Sequence, residues 1–197
     1  MFYYLAIFGL KIYTRLKFKV IVKGRKNVPK NCGVIFCSNH SSNFDPVIVC
    51  SSITNRKIHY FAKKELFNTK FKNFWMHQLC AFPVDREGTD INALKFSINL
   101  LKNGGALGIF AQGTRVKEGE SAEAKNGVSL FALKSGVDVV PIGITADYSK
   151  KGKVIVNIGK SISFDKYKGQ KPKTELLNKM TDEIMTEIEK LMNENKQ

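Results

Sequence analysis

The stretch FCSNHSSNFDPV, residues 36–47, sets a histidine and a carboxylate five positions apart, His40 and Asp45, where an apolar run gives way to a helix start. A carboxylate on one ring nitrogen fixes an imidazole's tautomer and leaves the other nitrogen to accept a proton, which is what a general base requires. On a continuous helix, residues five apart point about 140° away from each other. The pair therefore meets only if HSSNF folds as a tight loop. Taken alone, the same residues read more simply as an Asp helix cap beside a loop histidine. No serine follows in a nucleophile-elbow setting, so a base here would activate a substrate hydroxyl rather than an enzyme nucleophile.

Two further loops change that weighing, because both carry groups suited to an anion. FPVDREG offers Arg86, and FAQGTR offers Gly113, Thr114 and Arg115. Glycine lets backbone approach a phosphate, a hydroxyl donates to it, and a guanidinium grips it in a fork. Lys125 lies near these loops in sequence and reads more simply as solvated.

The elements that must position these loops alternate between strand and helix. KFKVIVKG alternates charged and apolar residues as a half-buried strand does, and GVIFCS is a short continuous apolar run expected of a strand buried on both faces. DPVIVCSSI reads as a helix with Asp45 as N-cap and Pro46 at its first position. KIHYFA, ALGIFAQG, VDVVPIGITA and KVIVNIGKSI read as strands. TDINALKFSINLLKNGG and AKNGVSLFALKSG read as helices, and the closing segment is an amphipathic helix with Leu177, Met180, Ile184, Ile188 and Leu191 on one face. The pattern predicts an α/β fold, a single sheet with helices on both sides, with ligands held in loops beyond the strand C-termini. The three polar loops fall at such places.

At 197 residues the chain is long enough for one domain with a substantial core. Lysine and arginine outnumber aspartate and glutamate 32 to 17, a formal charge of +15 that favours anionic partners. No acidic residue precedes Asp45, while Lys11, Arg15, Lys17, Lys19, Lys23, Arg25, Lys26 and Lys30 follow the apolar start MFYYLAIFGL. That start is too short for a membrane span of about 20 residues, and it lacks the basic lead and cleavage site of a secretory signal. An apolar face beside a cationic ladder suits an interfacial anchor; the plainer reading is a core-docked helix with a solvated basic face. Residues 1–30 are assigned to this segment and the first strand, and residues 31–197 to the α/β domain. The cysteines Cys32, Cys37, Cys50 and Cys80 show neither CxxC pairing nor zinc spacing and read as reduced and structural, with no metal site. No nucleic-acid reader motif accompanies the basic charge, so no nucleic-acid partner is expected. His59 and His77 lack a nearby acid and read as surface or boundary residues. Trp75, with Phe67, Phe71 and Phe74, suits an acyl channel, a headgroup layer or packing beneath the sheet.

Four blocks in order, NHSSNFDP, FPVDREG, FAQGTR and VVPIGI, resemble those of the glycerolipid acyltransferases, and within them the 1-acylglycerol-3-phosphate acyltransferases. The resemblance implies the glycerolphosphate acyltransferase fold, a single mixed sheet flanked by helices. It implies that His40 deprotonates the sn-2 hydroxyl of lysophosphatidic acid with Asp45 orienting it, for attack on an acyl thioester of acyl carrier protein or coenzyme A. By the same resemblance Arg86, Gln112, Gly113, Thr114 and Arg115 hold the acceptor and its phosphate, and Pro141 shapes the acyl pocket. The thioester is a co-substrate; no cofactor or metal is implied. Anionic membrane lipids are expected as partners, and the cytoplasmic side of the cell membrane, with peripheral or monotopic attachment, as the location. One departure stands out: the family's Pro-Glu is Ala111-Gln112 here, which leaves other acceptors open, such as glycerol 3-phosphate or another lysolipid. A non-catalytic protein binding anionic lipid or nucleic acid is the alternative of a different class.

Overall fold

The computed structural model describes residues 2–84, 90–113 and 126–195. A helix, α1 (Phe2–Lys17), precedes a seven-stranded sheet ordered β1 (Lys19–Lys23), β7 (Lys153–Ile158), β6 (Asp138–Ala146), β2 (Val34–Ser38), β5 (Ala106–Phe110), β3 (Ile58–Lys63), β4 (Ala81–Val84). All neighbours pair in parallel except β6 and β7, so the sheet is mixed. The four remaining helices between strands are α2 (Asp45–Ser52), α3 (Lys70–Gln78), α4 (Ile91–Lys102) and α5 (Gly127–Ser135), and α6 (Thr174–Asn193) closes the chain.

The central strand β2 is buried along its whole length, as its continuous apolar run requires. Its alternate residues feed two cores. Val34 and Phe36 join Val140, Ile142 and Ile144 of β6 beneath α1 and α2. Ile35 and Cys37 join Leu107 and Val139 beneath α4, α5 and α6. On α6 the five residues picked out by their spacing, Leu177, Met180, Ile184, Ile188 and Leu191, are all buried. Asp90 caps α4, its carboxylate accepting from Ala93 N–H at 2.9 Å.

Two features depart from the sequence-based expectation. AFPV forms β4, a seventh strand; its Pro83 is tolerated because β4 is at the sheet edge. β1 pairs residue for residue with β7, so residues 19–23, grouped above with the N-terminal segment, lie in the main sheet.

The chain leaves β2 through α2 toward β3, and leaves β5 through α5 toward β6, on the other side. Adjacent strands whose connections diverge to opposite faces leave a crevice at their C-terminal ends, the usual ligand position in such sheets. Both the His40 loop and the Gln112 loop open into it.

Candidate active site

The loop 39–44 is pinned on both sides. The amide of Asn39, itself buried, donates to Ile144 O at 2.9 Å and accepts from Ile144 N–H at 2.8 Å, so a side chain takes the place of a strand pair against β6. On the β5 side Ala111 N–H donates to Ser38 O at 3.0 Å, and Gln112 Oε1 accepts from His40 N–H at 3.0 Å. Gly113 closes this turn at φ 65°, a backbone conformation that glycine adopts without steric cost.

Between these anchors the chain doubles back. His40 Nδ1 lies 2.8 Å from Asp45 Oδ2, and the same oxygen accepts from the N–H groups of Ser41 and Ser42, each at 2.7 Å. Tyr148 donates its hydroxyl to the other oxygen, Oδ1. Asp45 is fully buried, and its four donors match the accepting capacity of an ionised carboxylate. A carboxylate only accepts, so Nδ1 carries the ring proton and Nε2 keeps its lone pair. No described residue bonds Nε2.

Asp45 is not the helix cap expected from the sequence. The N-cap position falls on Phe44, with no side-chain cap bond, and Asp45 is the first helical residue with Pro46 behind it. Its carboxylate turns back onto the loop instead of forward onto α2. That reversal separates the catalytic reading from the capping one: the carboxylate is spent on holding the imidazole.

The imidazole stacks on Phe110, centroids 4.0 Å apart at 19°, and Tyr60 stacks on Phe110 at 5.7 Å. Gly108 makes room for this column: a Cβ there would lie 2.3 Å from the Tyr60 ring. Burial pushes the Tyr60 phenol above its ordinary range, with Cys50, Tyr3 and Asp45 adding to it.

His40, Tyr60 and Phe110 face a cavity of about 460 Å³ walled by Ile7 and Leu10 of α1, Val47 and Cys50 of α2, and Met76 of α3. The volume is that of a small-molecule pocket. Lys63, exposed, adds a cation to the lining. Pro141 takes no part in it. Strand parity explains why: Val140 and Ile142 face the α1–α2 core, so Pro141 between them faces the other way, against Gly159 and toward α6. Pro141, expected to shape an acyl pocket, thus lies off this cavity.

Gln112 Oε1 supports the His40 backbone. Arg86, Thr114, Arg115 and Lys125 lie outside the described residues. β4 ends at Val84 and the β5 turn at Gly113, both at the end of the sheet that carries His40. All four cysteines are free; burial pushes the thiols of Cys37 and Cys50 up to about 12, while Cys32 is exposed. Among the described residues no three His, Cys, Asp or Glu side chains gather as a metal site. His77 is exposed, and His59 is half-buried with Nδ1 3.3 Å from Ala106 O.

The residues the sequence did not single out are Tyr148, Asn39, Tyr60 and Phe110. Asn39 was within reach, sitting beside the histidine. Tyr148 gives no local signal, for it meets Asp45 across 103 positions.

Residues 19–145 match the sequence profile of the Acyltransferase family. The chain is 33% identical over 190 residues to a Bacillus subtilis protein named 1-acyl-sn-glycerol-3-phosphate acyltransferase, covering 94% of each. It is 31% identical to a Streptococcus pneumoniae protein of the same name, covering 83% of this chain and 62% of that one. Its fold is similar to that of the 1-acyl-sn-glycerophosphate acyltransferase PlsC from Thermotoga maritima, with TM-score 0.71, 24% identity, and coverage of 94% of this chain and 79% of the other. With the His40–Asp45 pair at the divergence of two parallel strands and a profile match spanning most of the chain, the protein belongs to the Acyltransferase family of enzymes.

Proposed function

We propose that this protein moves a fatty acyl group from a thioester to the sn-2 hydroxyl of 1-acylglycerol 3-phosphate, giving phosphatidic acid. The observation that carries the reading is an imidazole with one nitrogen held by a buried carboxylate, at an apolar cavity large enough for a lipid chain. Nε2 of His40 takes the hydroxyl proton as the oxygen attacks the thioester carbonyl. The tetrahedral species collapses, the carbon–sulfur bond breaks, and the proton held on Nε2 passes to the departing thiolate. Asp45 stays ionised and stabilises the transient imidazolium. No enzyme-bound acyl group, metal or cofactor is needed.

The acyl chain is assigned to the cavity between α1, α2, α3 and the sheet. The phosphate is assigned to Gly113 with Thr114, Arg86 and Arg115, on the strength of their chemistry and block order. The names of the similar bacterial proteins support 1-acylglycerol 3-phosphate as acceptor. The Gln112 departure does not count against it: a glutamate in that place would accept the same His40 N–H.

Access is from a lipid surface. Helix α1 docks on the core through Tyr3, Ile7 and Thr14, while Phe2, Leu5, Phe8, Ile12 and Leu16 face outward. Phe71, Phe74 and Trp75 of the adjoining α3 are exposed too. Both readings of the N-terminal segment are thus partly met: the helix is core-docked, and its free face is apolar. No described helix is long and apolar enough to cross a membrane. These rings and aliphatics would enter the acyl boundary, with Lys11, Arg15 and Lys70 adding about 1 kcal/mol each near anionic headgroups. The cytoplasmic leaflet supplies such headgroups.

The test is acyl transfer to 1-acylglycerol 3-phosphate on anionic vesicles, with acyl carrier protein and coenzyme A donors in parallel, for wild type and His40→Ala. Phosphatidic acid from wild type alone supports the reaction and names the donor. Turnover that survives in His40→Ala removes the base assignment, and product from a different acceptor only redirects the specificity.

A further inference from the structure

The two oxygens of Asp45 are held from different parts of the chain. Oδ2 takes its donors from the loop that carries the pair, His40 Nδ1 and the N–H groups of Ser41 and Ser42. Oδ1 takes one, the hydroxyl of Tyr148, two residues beyond the end of β6. A carboxylate gripped at one oxygen can still pivot about that grip; gripped at both, its plane is fixed, and the imidazole is fixed with it.

The Tyr148 ring is itself wedged in place. It meets Phe18, just past α1, edge-on at 5.4 Å, and Phe44, the residue before Asp45, at 5.7 Å. Phe18 and Phe44 pack edge-on at 5.3 Å, and Lys17 Nζ lies 4.2 Å from the Phe44 ring centroid. Three separate pieces of chain thus converge to aim one hydroxyl.

We propose that Tyr148 is a positioning residue for acyl transfer, fixing the second oxygen of Asp45 and thereby setting the orientation and proton affinity of His40. It rests on the assignment of His40 as the base. A hydrogen bond to an ionised carboxylate draws charge from it and weakens its hold on an adjacent imidazolium. The phenol stays a donor, because burial first and the Asp45 charge second raise it above its ordinary range. Among the described residues, the other titratable or charged groups nearby are the Tyr60 phenol, Cys50 and Lys63 on the cavity wall, Lys17 over Phe44, and the exposed Asp147, Lys150 and Lys151 flanking Tyr148. None of them bonds Asp45, and Asp147 accepts from Ser149 N–H instead.

The test is Tyr148→Phe, which keeps the ring and deletes the hydroxyl, with Tyr148→Leu as the packing control. The His40 ring is titrated by NMR in the free protein, and kcat, KM and their pH profiles are measured alongside urea unfolding. Without the hydroxyl, Asp45 holds the imidazolium more strongly. The His40 titration point and the acid limb of the rate profile should therefore both move up by about half to one pH unit. In Tyr148→Phe, kcat should fall roughly tenfold with KM within about twofold. A His40 titration that does not move, with wild-type kcat, overturns the proposal. So does a fall in kcat that merely tracks lost stability, or one confined to Tyr148→Leu. Should the wild type transfer no acyl group, the functional reading fails on its own, and the NMR titration still decides whether Tyr148 sets the state of His40.

Discussion

Asp45 and Arg56 are both buried charges, and they sit at opposite ends of one sheet. Arg56 lies just before β3; its guanidinium donates to Pro29 O at 2.7 Å and to Cys32 O and Gly104 O, each at 2.8 Å. Those carbonyls precede β2 and β5, so one side chain ties together the N-terminal ends of three neighbouring strands. Every partner of that guanidinium is a fixed dipole. Asp45, at the C-terminal end, takes four donors, but one of them is an imidazole, a group that can exchange protons. Burial and several hydrogen bonds are common to both. What separates a brace from a site is whether a partner titrates and whether a cavity opens beside it.

That contrast is open to direct attack, and the largest effect is expected at the catalytic end. Asp45→Asn should cut acyl transfer by about 10³-fold, since an amide neither fixes the imidazole tautomer nor stabilises its charged form. Circular dichroism should show the fold retained. Arg56→Met should do the reverse, lowering stability in urea unfolding by about 3 kcal/mol as buried carbonyls lose their donor. Its folded fraction should keep kcat within about twofold. A loss of turnover in Arg56→Met without a loss of stability would erase the distinction.

Gln112→Glu probes the rim of the same site more gently. The carboxylate can accept the His40 N–H that the amide now accepts, so activity and acceptor preference should hold within about threefold. A larger change would make this position part of acceptor choice after all. The smallest effect is expected at His59, where burial first, and then Lys57, lower the imidazole below its ordinary value. Its folded state binds protons less readily than its unfolded state. The stability His59 contributes is therefore present above about pH 6.5 and is lost as pH falls below it. His59→Gln should flatten that acid slope in urea midpoints measured from pH 7 to 5.

The legible part of this protein was the part written locally. Loop residues 39–45 carry both members of the pair, and apolar runs and helical spacing marked six of the seven strands and the α6 face. β4 escaped because Pro83 argues against a strand unless its edge position is known. Asp45 looked like a cap because sequence records the residue and not the direction in which its carboxylate turns. Pro141 faces away from the α1–α2 core, a placement already legible in the Val140–Ile142 alternation. Tyr148 and the β1–β7 pairing are written across more than a hundred residues, where no spacing rule reaches.

Cys50 sits on the wall of the cavity beside the imidazole. A thiolate there would be a better nucleophile than any lipid hydroxyl, and it would capture a thioester donor's acyl group for the protein itself. Burial opposes this: it pushes the thiol up to about 12, so the protonated form prevails at neutral pH. The same dry walls that would welcome a hydrocarbon chain thus protect the protein from acylation by its own donor.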